Sequence, residues 1–293
     1  MIFFILTQQN VFSVSFKGVN KASVYLSAHQ DDWQGFMPKQ VYNEVKSNDT
    51  KQIFIQLTAG DAGNGNKNNY YSARNNGLFK SISFVNDIFF GKSEKKTSFI
   101  EINEHKIKKI EYRNTVTYLL DLPDGGKRGE GFEENNFQSL KKLRKNKEKL
   151  KSIHQSGTYF TIGTLEQAVI KIVEIETENI EKKNIKIHAA DPDRTINPND
   201  HSDHEEVGFI SLTVAKKLPC SELFLYETVG QLPKPVNLSE EEYQVDVGMF
   251  AAYVMGVVEF GVKGNWKESE LVYLGRQYSR PFKIENNCQN ISN

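Results

Sequence analysis

Two short polar clusters hold the residue types that bind metals and move protons. The first is Ala28-His29-Gln30-Asp31-Asp32-Trp33. The second is Asp200-His201-Ser202-Asp203-His204. A catalytic zinc takes three protein ligands and leaves one position open for water. Two ligands from one loop and one from another can build that site. A carboxylate beside a ligand then reaches the bound water as general base without itself holding the metal. Each cluster also has a plainer reading. Asp31 or Asp32 fits a helix N-cap, and Asp-His-Ser-Asp-His fits a solvated turn.

The surrounding pattern tells between these readings. Residues 22–28 form a β-rich run that ends at the first cluster, and residues 52–57 form a second strand leading into the glycine-rich loop Thr58-Ala59-Gly60. A short helix over residues 36–45 between them makes a βαβ unit, which implies parallel pairing. Further along, residues 70–85 read as a helix, and 98–102 and 109–120 as strands. Residues 137–153 read as a charged helix. Thr164 with Gln167 suggests a capping box ahead of a helix to about residue 180. Strands follow at 185–188 and 223–226, with helices at 205–218 and 240–255. The alternation predicts one α/β domain over residues 1–293, a three-layer sandwich with a mainly parallel sheet. In such sheets ligands bind beyond the carboxyl ends of the strands. Both clusters sit at such a place, one after a strand and one before a helix.

Composition narrows the partners. The chain has 293 residues, 38% hydrophobic and 25% charged, with a formal net charge of zero. A sizeable core is possible, and no global charge points to nucleic acid. The apolar start at residues 2–6 is shorter than a secretory h-region and lacks a basic flank. It reads as a remnant export signal or a first strand, and leaves the compartment open. The apolar stretch 247–262 is too short to span a membrane. Cys220 and Cys288 match no metal spacing and read as one disulfide or two separate thiols.

Taken together, the clusters resemble the Ala-His-Pro-Asp-Asp and His-x-Asp-His motifs of the PIG-L or LmbE-like N-deacetylases. The resemblance spans residues 22–258, with 259–293 as a C-terminal extension. It includes Thr58-Ala59-Gly60, Arg74 and Leu122-Pro123-Asp124-Gly125. His-Gln-Asp-Asp-Trp looks like a bacterial subgroup of that family. The resemblance implies a Rossmann-like domain with one Zn2+ on His29, Asp32 and His204. It implies Asp31 as general base, and His201 as the group that protonates or stabilises the tetrahedral intermediate, oriented and kept charged by Asp203. Arg74 and Asp124 would contact the sugar ring. The implied substrate is a small N-acyl amino sugar or conjugate, with another acylated amine, such as a thiol conjugate, or non-catalytic sugar binding as alternatives. Two departures stand out. Gln30 replaces the family proline, and Trp33 replaces the usual glutamate. Trp33 suits either a sugar-stacking platform or the core.

Other features have structural explanations. Lys141 to Lys151 is a basic run, and Leu140 just before it with Leu143 and Leu150 within it suit the buried stripe of a surface helix with a solvated face. Gly60, Gly63 and Gly65 lack dinucleotide spacing and suit a substrate-shaping loop. His105, His154 and His188 are isolated and read as structural. Asp191, Asp193 and Arg194 fit turns beside Pro192 and Pro198 or a wall of the pocket.

Overall fold

The computed structural model describes residues 18–65, 67–154 and 157–283. The apolar start and Cys288 lie outside the described residues. In chain order the strands are β1 (Lys21–Ser27), β2 (Thr50–Thr58), β3 (Lys96–Ile102), β4 (His105–Tyr112), β5 (Thr115–Leu122), β6 (Leu150–Lys151), β7 (Thr158–Tyr159), β8 (Ile185–Ala190), β9 (Glu222–Tyr226) and β10 (Ser279–Phe282). The helices are α1 (Asp32–Phe36), α2 (Pro38–Ser47), α3 (Tyr70–Phe90), α4 (Leu140–Arg144), α5 (Ile162–Glu176), α6 (Ser202–Lys217), α7 (Glu240–Val258) and α8 (Glu268–Leu271).

Eight strands form one sheet in the order β10-β9-β8-β1-β2-β5-β4-β3. The five central strands pair in parallel. The outer pairings, β9 with β10 and β5-β4-β3, are antiparallel. This is the mainly parallel three-layer α/β fold that the alternation predicts.

Side-chain alternation builds the layers. Val24 and Leu26 of β1, with Ile53 and Ile55 of β2, face the core under α5 and α6. Their neighbours Tyr25 and Phe54 face the opposite core, under α2, α3 and α7. A strand buried on both faces must be apolar at nearly every position. In α5 the buried residues Leu165, Ala168, Val169, Ile172 and Val173 recur at helical spacing, so one stripe meets the sheet. No helix among the described residues is long and apolar enough to cross a membrane.

Three local expectations change. The single strand over 109–120 is two strands, because Arg113 takes a left-handed φ and Tyr112 pairs with Thr115 across a two-residue turn. The charged helix over 137–153 shrinks to α4. Asn136 and Phe137 before it and Asn146 after it have positive φ, and Ser139 caps the new start. Leu140, Leu143 and Leu150 are buried as the stripe requires, but Leu150 reaches the core from β6. The capping box before α5 is Thr161 with Thr164, one turn earlier than Thr164 with Gln167, and the helix ends at Glu176. His188 is buried in the core, stacked on Tyr25 and bonded to the Tyr226 hydroxyl.

Candidate metal centre

The chain leaves β1 and pairs it with β2 on one side and β8 on the other. Loops leaving β1 and β8 therefore diverge and open a crevice between them. His29, Asp31 and Asp32 follow β1, and His201, Asp203 and His204 follow β8. The structure brings all six together, with Asp124 from the loop after β5.

Three donor atoms make a near-equilateral triangle. His29 Nδ1 is 3.2 Å from His204 Nε2, His204 Nε2 is 3.2 Å from Asp32 Oδ1, and His29 Nδ1 is 3.4 Å from Asp32 Oδ1. A tetrahedron with corners about 2.0–2.1 Å from its centre has edges of about 3.3 Å. The triangle is one face of such a tetrahedron, so the donor set fits a zinc-sized ion.

The triangle is held from behind. Asp32 starts α1, and its Oδ2 accepts the backbone N–H groups of Ala28 and His29 at 2.8 Å each. Its other oxygen is thereby turned to the histidines. His204 Nδ1 lies 2.9 Å from Asp200 Oδ1, and Thr228 donates to Asp200 Oδ2 at 2.6 Å. A carboxylate behind a ligating imidazole fixes its tautomer and raises its basicity. His29 Nε2 is a buried ring nitrogen with no hydrogen-bond partner, 3.7 Å from both Asp124 Oδ2 and Asp203 Oδ2.

The electrostatics ask for positive charge. Burial works against a proton on His29, but Asp32, Asp203 and Asp124 outweigh it and push the group up to about 10. Burial is likewise overcome at His204 by Asp200 and Asp32, which raise it strongly. Burial would lift Asp32, yet His204 and His29 hold it well below the usual carboxylate range.

His201 behaves differently. It is the N-cap of α6, and its Nδ1 accepts the backbone N–H of Asp203 at 3.2 Å. The proton of the neutral ring therefore sits on Nε2, which is 3.6 Å from Asp124 Oδ1. Burial, then the charges of His29 and His204, pull His201 down to about 3. Burial and the two neighbouring imidazoles thus work against the charge that Asp203 was expected to keep on His201. The buried Asp203 carboxylate accepts from Gly125 N at 2.8 Å instead, and its Oδ2 lies 3.9 Å from His201 Nδ1.

Asp31 lines the same cavity, of about 290 Å³. Its Oδ1 accepts from Arg74 Nη2. Arg74 also donates through Nη1 to Gly60 O at 2.8 Å and through Nε to Tyr253 Oη at 2.9 Å. The guanidinium borders the cavity and also grips Asp31, a contact the spacing of the motifs does not display. Gly60 is required here: its φ is +53°, and a Cβ would lie 2.5 Å from Gln30 Oε1 and 2.8 Å from Arg74 Nη1. Gln30, in the proline position, donates to Ala59 O and Asn75 Oδ1 at 2.9 Å each. Trp33 has no exposed surface, packs against Phe54 and does not line the cavity. It is a core residue, and the sugar-stacking reading falls.

Sequence reasoning assigned no role to the far wall. Glu270, Tyr273 and Leu274 of the C-terminal segment line the cavity opposite the strand loops. Burial and the charge of Asp31 raise the Glu270 carboxyl. Nothing in the spacing of this segment marks it. Asp200 did carry a signal, four residues before His204 on the approach to a helix.

No protein-family model matches the chain, and no curated protein matches it in sequence. Among solved structures, N,N'-diacetylchitobiose deacetylase from Pyrococcus horikoshii, complexed with its inhibitor MPG, aligns over 80% of this chain and 69% of its own, with 13% identity and a TM-score of 0.46.

Proposed function

We propose that the protein is a zinc-dependent hydrolase that removes the N-acetyl group from an N-acetylglucosamine-type sugar or conjugate. The observation that carries the reading is the triangle of His29 Nδ1, His204 Nε2 and Asp32 Oδ1, with edges of 3.2 to 3.4 Å. The motif resemblance supplies the reaction and the substrate class.

Zinc bound to such a site acidifies a water and polarises a carbonyl oxygen. The chain's own residues do the rest. Asp31, adjacent to the ligand Asp32, takes the proton from the attacking water. Arg74 grips its Oδ1, which fixes the carboxylate, and the described residues give Oδ2 no hydrogen-bond partner. His201 presents a neutral Nε2–H to the cavity and donates to the oxyanion as charge develops, a role in which a preorganised donor stabilises without itself losing a proton. Asp203 sets the α6 start through its backbone N–H. Asp124 lines the cavity, placed to accept a sugar hydroxyl. Asp31 then passes that proton to the departing nitrogen as the C–N bond breaks, and the products are acetate and a free amine.

Metal content of the purified protein, paired with acetate release from N-acetylglucosamine conjugates before and after chelation, tests this. One zinc per chain with chelator-sensitive release is the expected result. Zinc without release from any N-acetyl sugar moves the reaction to another amide, and protein that cannot take up zinc ends the proposal.

A further inference from the structure

The basic run at 141–151 is not one solvated helix face. Its cations meet those of two other segments around a cleft of about 790 Å³. Lys127 and Arg128 come from the loop after β5, Lys141, Arg144 and Lys145 from α4 and its C-cap, and Arg194 from the loop after β8.

The charges in this cleft do not balance. Arg144 pairs with Glu206, and Arg194 pairs with Glu205 at 2.6 Å. Asp200, which also borders the cleft, is already engaged by His204 and Thr228. Among the described residues no carboxylate forms an ion pair with Lys127, Arg128, Lys141 or Lys145. Glu206 and Glu205 thus balance Arg144 and Arg194, and the four remaining cations share only Asp200, so the concavity keeps an excess of positive charge, and concave walls concentrate its field. The floor is firm and partly aromatic. The Arg144 guanidinium lies 4.9 Å from the centre of the Phe209 ring. Ser202 N donates to Lys127 O at 3.0 Å, and Lys141 Nζ to Arg128 O at 3.0 Å, so loop, α4 and α6 are tied together.

The position matters as much as the charge. Asp200 borders the cleft and His201 borders the catalytic cavity. Consecutive residues of one segment therefore face the two spaces.

We infer that this cleft binds the anionic groups (carboxylate, sulfate or phosphate) of an acidic saccharide chain whose N-acyl sugar occupies the neighbouring cavity. The identification of the chain as saccharide rests on the proposed deacetylation; the affinity for anions does not. Cations around an aromatic floor suit a ring that carries negative substituents on one edge and an apolar face on another.

The test uses full-length zinc-loaded protein and a labelled hyaluronan octasaccharide, which carries carboxylates and N-acetyl groups. A neutral chitin oligosaccharide is the control, with inorganic polyphosphate and single-stranded DNA as competitors. Binding of the acidic probe should weaken with salt and fall about tenfold or more in K141E/K145E, while acetate release from a small neutral N-acetyl sugar stays within about twofold of wild type, because neither lysine touches the reacting groups. R128Q provides a milder variant should the double reversal fail to fold. Equal affinity for acidic and neutral probes, or binding indifferent to both variants, overturns the inference. Polyphosphate and DNA binding tighter than the saccharide through the same lysines overturns its saccharide part. Acidic binding that persists in a protein releasing acetate from nothing separates failure of the proposed function from failure of the cleft.

Discussion

Two charged regions flank the 200–204 segment, and they handle charge in opposite ways. In the candidate metal centre, Asp32, Asp124, Asp200 and Asp203 surround two histidines, and all six side chains are buried. Burying charge is costly unless each group finds a partner inside the protein. The arrangement is therefore tight, with atoms within 4 Å of each other, and suits a ligand of fixed size and geometry. In the basic cleft Lys127 and Lys145 are exposed and Lys141 is half-buried, so their charges stay in contact with water, where an unpaired cation costs little. The inferred anion binding there would select first by sign, with shape as the weaker constraint. Geometry is specified most tightly where solvent is excluded.

The sharpest way to break this contrast is at His204. His204→Ala removes a corner of the triangle, so zinc should be lost and acetate release should fall by about a thousandfold or more, while acidic-saccharide binding survives. Metal analysis and a binding titration on one preparation check both halves. Next is Asp200, which serves both regions. Asp200→Asn keeps the shape but weakens the hold on the His204 ring, and zinc affinity should drop about 10- to 100-fold in a chelator competition. An unchanged affinity would mean that Asp200 is only a loop staple for Thr228.

Arg74 comes third. Lysine cannot serve Asp31, Gly60 O and Tyr253 together, because it lacks the planar fork. Arg74→Lys should lower kcat about tenfold and leave KM and zinc content nearly unchanged. A rise in KM with kcat preserved would favour the sugar contact over the grip on the base.

The smallest effect lies away from both regions. Burial pushes the Asp246 carboxyl up to about 8, against a hydrogen bond from Gly275 N at 2.8 Å. Between about pH 4, where an unfolded aspartate titrates, and pH 8, the folded chain holds a proton that the unfolded chain has released. Stability should therefore decline as pH rises through that window and level off above it. Asp246→Asn should flatten this slope in thermal unfolding followed at several pH values, and a slope as steep as wild type would place the titration elsewhere.

Much of the site was legible because its residues cluster in sequence. His29, Asp31 and Asp32 lie within four positions, as do His201, Asp203 and His204, and each cluster borders a strand or helix whose pattern is strong. Parallel pairing was legible through the buried runs at β1 and β2. The rest depends on distance in the chain. That Arg74 holds Asp31 follows from α3 packing beside α7, where Tyr253 waits. The tautomer of His201 follows from a backbone N–H, which every residue but proline carries and no motif displays. The extent of α4 was hidden because Asn136, Phe137 and Asn146 adopt left-handed conformations that lysine-rich composition does not betray. The basic cleft was hidden because only one of its three contributing segments is conspicuous.

The segment after α7 offers a different lesson. It supplies Glu270 and Tyr273 to the cavity wall, then adds β10 along β9, where Arg280 pairs with Asp191 at 2.6 Å. Residues proposed for bond cleavage are thus encoded by one set of codons, and much of the cavity's outer contour by another set some seventy positions later. A recombinant fragment trimmed at residue 258 would keep every proposed zinc ligand and lose that contour. Grafting alternative tails after α7 would therefore be a direct route to changing what the cavity admits while the residues proposed for catalysis stay as they are.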